Sequence, residues 1–475
     1  MRIAYPSGDT DSWPYFEDVK KANAYIEELP PPAADIKNKD LHKLVAELIQ
    51  QRRQQHYNPN YEATYTLREL DHCYVMRQER RRHRRDREVE AINYGTVFNY
   101  TSSRAVRDTR FAAERNDRLL SKKYLKLSSD KFIPLNEVVQ RSREHHTYAT
   151  LHRLSALAEI MTINGWQASF TVQTVPSRMH AKRTIKKGNK HILVPNPKFD
   201  GTMPDTAHAW ANQKWANVGA TLDQMGYEEG KDWMCIRTVE AHKDGTPHYN
   251  FVFVGSIIFL KKVNSIMREK YLYASDADGD EYGAEKRRVK VNYESGEVAC
   301  RKIVSYAAKY ALKNYLPEDM HKSTEHKLEH IRNLAWRQTW NIRAFSLGGF
   351  AAVGLWNECR NRHYEKTDIN LVKYAVETNW TAFQKEFMLI KDDGEIKPFY
   401  IMRINKYKEE VKECIGHFIK KTNTIIAKRI TRAVIVRNIF KAGGDAVIRL
   451  IVSEPSKSEA KSKPEIQATD PPPPT

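Results

Sequence analysis

At 475 residues the chain is long enough for two or three domains with cores of their own. Its 41% apolar content excludes a disordered polymer, and 78 Lys and Arg against 59 Asp and Glu favour a polyanionic partner, nucleic acid above all. Five scattered cysteines, none in a Cys-x-x-Cys pair, exclude a disulfide framework and a thiolate zinc site.

The first stretch, 1–34, contains Pro and acidic residues and is expected to be poorly ordered. "MRIAYPSGDTDSWPYF" has no apolar core of signal-peptide length, and no later run reaches membrane-spanning length, so a soluble intracellular protein is expected. Residues 35–160 read as a helical, basic region, with apolar residues at helical spacing as in "LHKLVAELI". Within it "RQERRRHRRDR", residues 77–87, packs seven arginines into eleven positions. Arg80, Arg81 and Arg84 are candidate phosphate contacts, and a solvated helix face is the plain alternative.

Around Trp166 the period changes from helix to strand. "WQASFTVQT" sets Phe170 and Val172 on one face and Ser169, Thr171 and Gln173 on the other. The strand ends in "VPSRMH", where Arg178 and His180 are candidate phosphate donors. A helix is expected near 203–226, then a hairpin, "VEAHKDGTPHYNFVF", then a helix around 303–314. Strands interleaved with helices point to an α+β domain with an antiparallel sheet over 161–323. Residues 324–452 read as helical and basic again, and 453–475 as a disordered tail.

If residues 242 and 248 face each other across an Asp244-Gly245-Thr246 loop, Glu240, His242, His248 and Asn250 project from one face. Val239, Ala241, Tyr249 and Phe251 then fill the other. One carboxylate, one or two imidazoles and an amide oxygen suit Mg²⁺ or Mn²⁺; a polar sheet face with satisfied histidines is the alternative. "SYAAKYALKNY" puts Tyr306 and Tyr310 one helical turn apart, with Lys309 and Lys313 beside them. A phenol of pKa about 10 needs such cations, or an activated substrate, to act as a nucleophile. "DADGDE", residues 276–281, lacks the spacing of a calcium loop, and no GxxxxGK[ST] nucleotide loop is present.

"FTVQTVPSRMH", "NPKFDGTMP", "RTVEAHKDGTPHYN", "SYAAKYALKN" and "WNIRAFSLGG", in this order, resemble the phage replication gene A protein family. These are rolling-circle initiators of the HUH (His-hydrophobic-His) endonuclease superfamily. The likeness covers about residues 70–360, including "SSRAVRDTRF", and is most specific in "HKDGTPH" and "YAAKYALK". It implies a central palm-like antiparallel sheet with flanking helices, holding one divalent cation. It further implies nicking of one strand at single-stranded or locally melted origin DNA by a tyrosine, which becomes linked to the 5′ end. A free 3′-OH is left for a host polymerase, and the second tyrosine permits a later cut and rejoining. Carried over by position, Tyr306 and Tyr310 are the nucleophiles, His248 a metal ligand and Glu240 the acidic ligand. Unwinding falls to a host helicase, and the place of action is the bacterial cytoplasm.

The family pattern has a second histidine where this chain has Asn250. An amide oxygen is an acceptable ligand for a hard cation, and His242 on the same face can compensate. The competing readings are a DNA-binding initiator with a degenerate cleavage site, and a transposase or relaxase running the same chemistry.

Overall fold

A computed structural model describes residues 34–56, 65–93, 97, 99–127, 132–187, 190–272, 289–294, 296, 302–303, 305–306, 309, 324–360, 368–427, 434–440 and 446–450. The chain divides into two units, one of Met1–Glu114 with Ser142–Arg429, the other of Arg115–Arg141 with Ile430–Thr475.

In the first unit, helices α1 (Ala34–His56) and α2 (His72–Asn93) pack through Val45, Ile49, Val75 and Met76. Helix α3 (Ser103–Leu120) follows, and α4 (Leu135–Asn164) leads into the central sheet. That sheet is antiparallel throughout, in the order β8 (Val289–Glu294), β3 (Gln167–Thr174), β7 (Pro247–Gly255), β6 (Trp233–Ala241), β9 (Phe345–Gly348). A separate hairpin, β4 (Lys182–Lys187) with β5 (Lys190–Pro195), stands between β3 and α5 (Pro204–Gln224) in the sequence. Pro204 opens α5, where a missing N–H costs nothing.

Both faces of the sheet are covered, which explains the unbroken apolar run "FVFV" in β7. On one face Trp233, Cys235, Tyr249, Phe251 and Phe253 join α5, α6 (Ile257–Leu272) and the Trp336 and Trp340 rings of α7 (Thr324–Trp340). On the other, Met234, Ile236, Val252, Val254 and Phe345 meet Leu154, Leu157, Ile160 and Met161 of α4, with Ile303. Ser169 and Thr171 lie buried on the first face, where Asn264 of α6 donates to Ser169 and accepts from Thr171.

The expected boundary at 323 does not hold, because β9 enters the central sheet from beyond it. Nor is 324–452 helical throughout. After α8 (Val353–Cys359), α9 (Asn370–Val376) and α10 (Trp380–Asp392) the chain forms a three-stranded sheet, β10 (Ile396–Ile404), β11 (Glu410–Ile419) and β12 (Thr424–Ala427). "TNTIIA" is β-branched and short, so its strand preference outweighs the basic pattern that suggested a helix. The second unit is also a correction to that reading and to the all-helical reading of 35–160. Its sheet runs β14 (Ala446–Leu450), β13 (Val434–Phe440), β1 (Lys123–Lys126), β2 (Phe132–Pro134), joining chain segments about three hundred residues apart. Nothing local in either segment announces such a pairing.

The link between α2 and α3 is held by Glu88, whose carboxylate accepts from Thr101 Oγ1 (2.7 Å), Ser102 N (2.7 Å) and Ser102 Oγ (2.6 Å). Burial raises its pKa against those bonds. A raised carboxyl pKa contributes stability below the unfolded value that is lost as pH rises through the folded one. Glu88→Gln should therefore be near neutral, or stabilising, at pH 7. Glu88→Ala should cost about 2–3 kcal/mol by stranding buried donors. Urea unfolding of both variants checks this, and equal losses would show that the charge itself is needed.

Candidate active site

The hairpin closes in a register two residues from the expected one. Glu240 pairs with His248, Thr238 with Asn250, and His242 N donates to Thr246 O at 2.8 Å. The loop is Lys243-Asp244-Gly245, with Gly245 at φ +89, a conformation glycine adopts without strain. Asp244 explains the choice: its carboxylate lies within the turn, accepting from Thr246 N at 3.1 Å and standing 3.0 Å from His180 Nδ1. A slip of two preserves side-chain parity, so Glu240, His242, His248 and Asn250 still share one face. Tyr249 turns to the opposite face, its hydroxyl 2.7 Å from His208 Nδ1.

Glu240, His242 and His248 line a pocket of about 200 Å³ with Ala241, Tyr100, Glu329 and Asn333. The His242 and His248 rings meet edge to face at 4.5 Å, and His180 flanks His242 at 5.3 Å. Burial, helped by the neighbouring His180, pushes the His242 pKa down to about 4, so this imidazole is neutral at pH 7. Its Nε2 is buried without a hydrogen-bond partner, as suits a nitrogen reserved for a cation. Asn250 is buried beside Glu240, its amide nitrogen 3.5 Å from Oε2, a weak contact. Among the described residues no three His, Cys, Asp or Glu side chains converge tightly enough to hold a metal ion as they stand. A carboxylate, imidazoles and an amide oxygen are donor types that suit a hard divalent cation.

Tyr306 is half-buried on a helical stretch, and its ring meets Phe170 edge to face at 5.6 Å. Phe170 pairs across the sheet with Val252, and the next position on that face pairs Val172 with Asn250. Tyr306 therefore packs on the face that carries the polar cluster, against Phe170, whose cross-strand partner Val252 is one same-face step (about 7 Å) from Asn250. Lys309 is helical and exposed. Tyr310 and Lys313 lie outside the described residues.

Other expected contacts have local duties. Arg178 forms an ion pair with Asp200 of "NPKFDGTMP", whose Asn196 donates to Ser177 O and His180 O, both at 2.8 Å. That motif thus braces the turn after β3, and His180 packs against His242, which lines the pocket. Of the arginine run, Arg84 donates to Gln338 (3.1 Å) and Arg85 pairs with Asp205 (2.7 Å), which ties α2 to α7 and α5. Arg80 and Arg81 face outward.

Sequence reasoning missed the wall opposite the hairpin. Tyr100, at φ +67, donates from its backbone to Lys243 O (2.9 Å) and from its hydroxyl to Glu329 (2.6 Å). Trp336 Nε1 donates to Gly245 O at 2.8 Å. Glu329, Asn333, Trp336 and Trp340 recur at helical spacing, and that one-face pattern on α7 was the available signal.

The model of the bacteriophage replication gene A protein family matches residues 28–316. The chain belongs to that family. Among relatives of this replication gene A protein family member, a probable replication protein of Pseudoalteromonas phage PM2 is 26% identical over 70% of the chain and 52% of its own length. The replication protein of Haemophilus phage HP1 is 27% identical over 62% and 36%, and the replication gene A protein of Escherichia phage P2 is 26% identical over 55% and 34%. The chain thus spans between a third and about half of the length of these relatives. A prophage-region protein of Salmonella typhi, 26% identical, carries the name probable replication endonuclease. No solved structure matches the chain. Among the described residues no helix is long and apolar enough to cross a membrane.

Proposed function

We propose that this replication gene A family member is an HUH-type endonuclease that nicks one DNA strand at an origin through a tyrosine and later rejoins the ends. The phenol oxygen of Tyr306 or Tyr310 attacks the scissile phosphorus, the P–O3′ bond breaks, and the phenol's proton ends on the departing 3′ oxygen. The reverse attack reseals the strand without a nucleotide triphosphate. Support comes from one observation above the rest: Tyr306, through Phe170, shares the sheet face of Glu240, His248 and Asn250. Glu240, His242 and His248, with Asn250 alongside, would hold a divalent cation, Mg²⁺ or Mn²⁺, whose chemistry is to polarise the scissile phosphate. His242, neutral at pH 7, keeps a lone pair for that role, and Lys309 offers a charge near the phenol. Unwinding and synthesis fall to a host helicase and polymerase.

A second reading, a DNA-binding initiator that does not cut, is favoured by the lack of a preformed three-ligand cluster among the described residues. One denaturing gel separates the two. Labelled single-stranded origin DNA with Mn²⁺ should give a shortened strand and a protein-linked fragment, both lost in EDTA. Cleavage that survives EDTA would sink the cation; binding without any cleavage would favour the second reading.

A further inference from the structure

In the hairpin β10–β11 the strand β10 is exposed along nearly its whole length, β11 is mostly half-buried, and the hairpin is secured at both ends. At its base Ile396 and Ile419 enter the core built by Trp356, Trp380, Phe383 and Ile426. At its tip Glu409 pairs with Arg68 (2.6 Å), Lys406 with Asp71 (3.3 Å), and Tyr407 meets Tyr74 edge to face. Arg68 also lies over the Tyr407 ring at 5.3 Å. Between these anchors nearly every residue of β10 is exposed, on both faces of the ribbon.

What the ribbon exposes is not ordinary surface. Tyr400 is 43% exposed, Met402 62% and Ile404 67%, all on one face, while Phe399 and Ile401 are exposed beside them. As the edge strand of its sheet, β10 would normally be guarded by charge or covered. Here cations are interleaved with the rings, Arg403 among them paired with Glu413 at 3.5 Å. Lys397, Arg403 and Lys412 lie along the ribbon, with the Lys412 ammonium 4.5 Å from the Tyr400 ring centre. Over residues 396–421 seven Lys and Arg stand against three Glu.

We infer that the β10–β11 ribbon is a binding surface for single-stranded DNA, a base stacking on Tyr400 while Lys412 beside it meets the phosphate. Aromatic platforms set among cations bind single strands with little sequence preference, because every base offers a π-face. The anchors at base and tip fix the two ends of that platform. This inference rests on the DNA-cleaving reading only for the identity of the polymer.

The test is fluorescence anisotropy of a fluorescein-labelled single strand of mixed sequence, in EDTA, with the full chain. Tyr400→Ala should weaken binding about tenfold, and Tyr400→Phe should bind like the parent because the ring remains. Lys412→Gln should lower the slope of log K against log salt by about 0.7. Parent binding with Tyr400→Ala and Lys412→Gln both unchanged overturns the inference and leaves the cleavage reading standing. A parent chain that does not bind overturns this inference alone, because cleavage is proposed at origin DNA with a divalent cation present. A concentration-dependent dimer in sedimentation, abolished by Met402→Lys while DNA binding stays intact, would assign the ribbon to a second copy of the chain instead.

Discussion

Tyr306→Phe/Tyr310→Phe should form no covalent adduct with single-stranded DNA while binding it as tightly as the parent chain. Only two hydroxyl oxygens are removed, and the Tyr306 contact with Phe170 is a ring-edge contact that phenylalanine reproduces. Folding should therefore be unchanged, and any loss is chemical. Each single variant should retain some first cleavage, unequally, and fail at a second transfer, because one phenol must hold a 5′ end while the other cuts. Tyr306 and Tyr310 are one helical turn apart in sequence, so small shifts of one helix can present either to the same phosphate. Mass spectrometry of the trapped adduct should place the nucleotide within "IVSYAAKYALK". An adduct on any other tyrosine, or undiminished cleavage by the double variant, would overturn the mechanism.

Trp336→Ala should be the most destabilising single change near the site, at about 3–5 kcal/mol. The indole is fully buried, packs edge-on against Tyr100 at 6.4 Å, and donates to Gly245 O. Trp336→Phe keeps most of the packing and loses the bond to a buried carbonyl, for about 1 kcal/mol. The ratio of the two losses distinguishes packing from hydrogen bonding as the force that seats α7 on the hairpin. Urea titration of both variants measures it, and a Trp336→Ala loss below that of Trp336→Phe would refute the packing account.

The sequence carried the parts of this site that are local. Alternation placed Glu240, His242, His248 and Asn250 on one face, and it survived a wrong register because the error was an even number of residues. The register itself hinged on where Asp244 sits, and a carboxylate that bonds its own turn looks, in sequence, like any Asp-Gly pair. Long-range pieces were invisible. Tyr100 and Trp336 reach the hairpin from opposite ends of the unit, β9 joins the sheet after a long excursion, and β1 pairs with β13. The arginine run shows the limit of composition: counting charges could not separate Arg84 and Arg85, turned inward to Gln338 and Asp205, from Arg80 and Arg81. "TNTIIA" shows another, since its β-branched strand signal was present but was overruled by the basic residues around it.

The indole bond to the hairpin turn has a temporal side. Trp336 lies 91 positions after the glycine whose carbonyl it binds. A ribosome adding about 5–20 residues per second needs roughly 5–20 s to cover that interval, far longer than a hairpin takes to form. During synthesis the two histidines therefore sit on a turn that has its Tyr100 contact but still lacks the one from α7. The pocket's far wall, Glu329 and Asn333, arrives on the same helix as the brace. Pocket and clasp are completed together, late, by one helix.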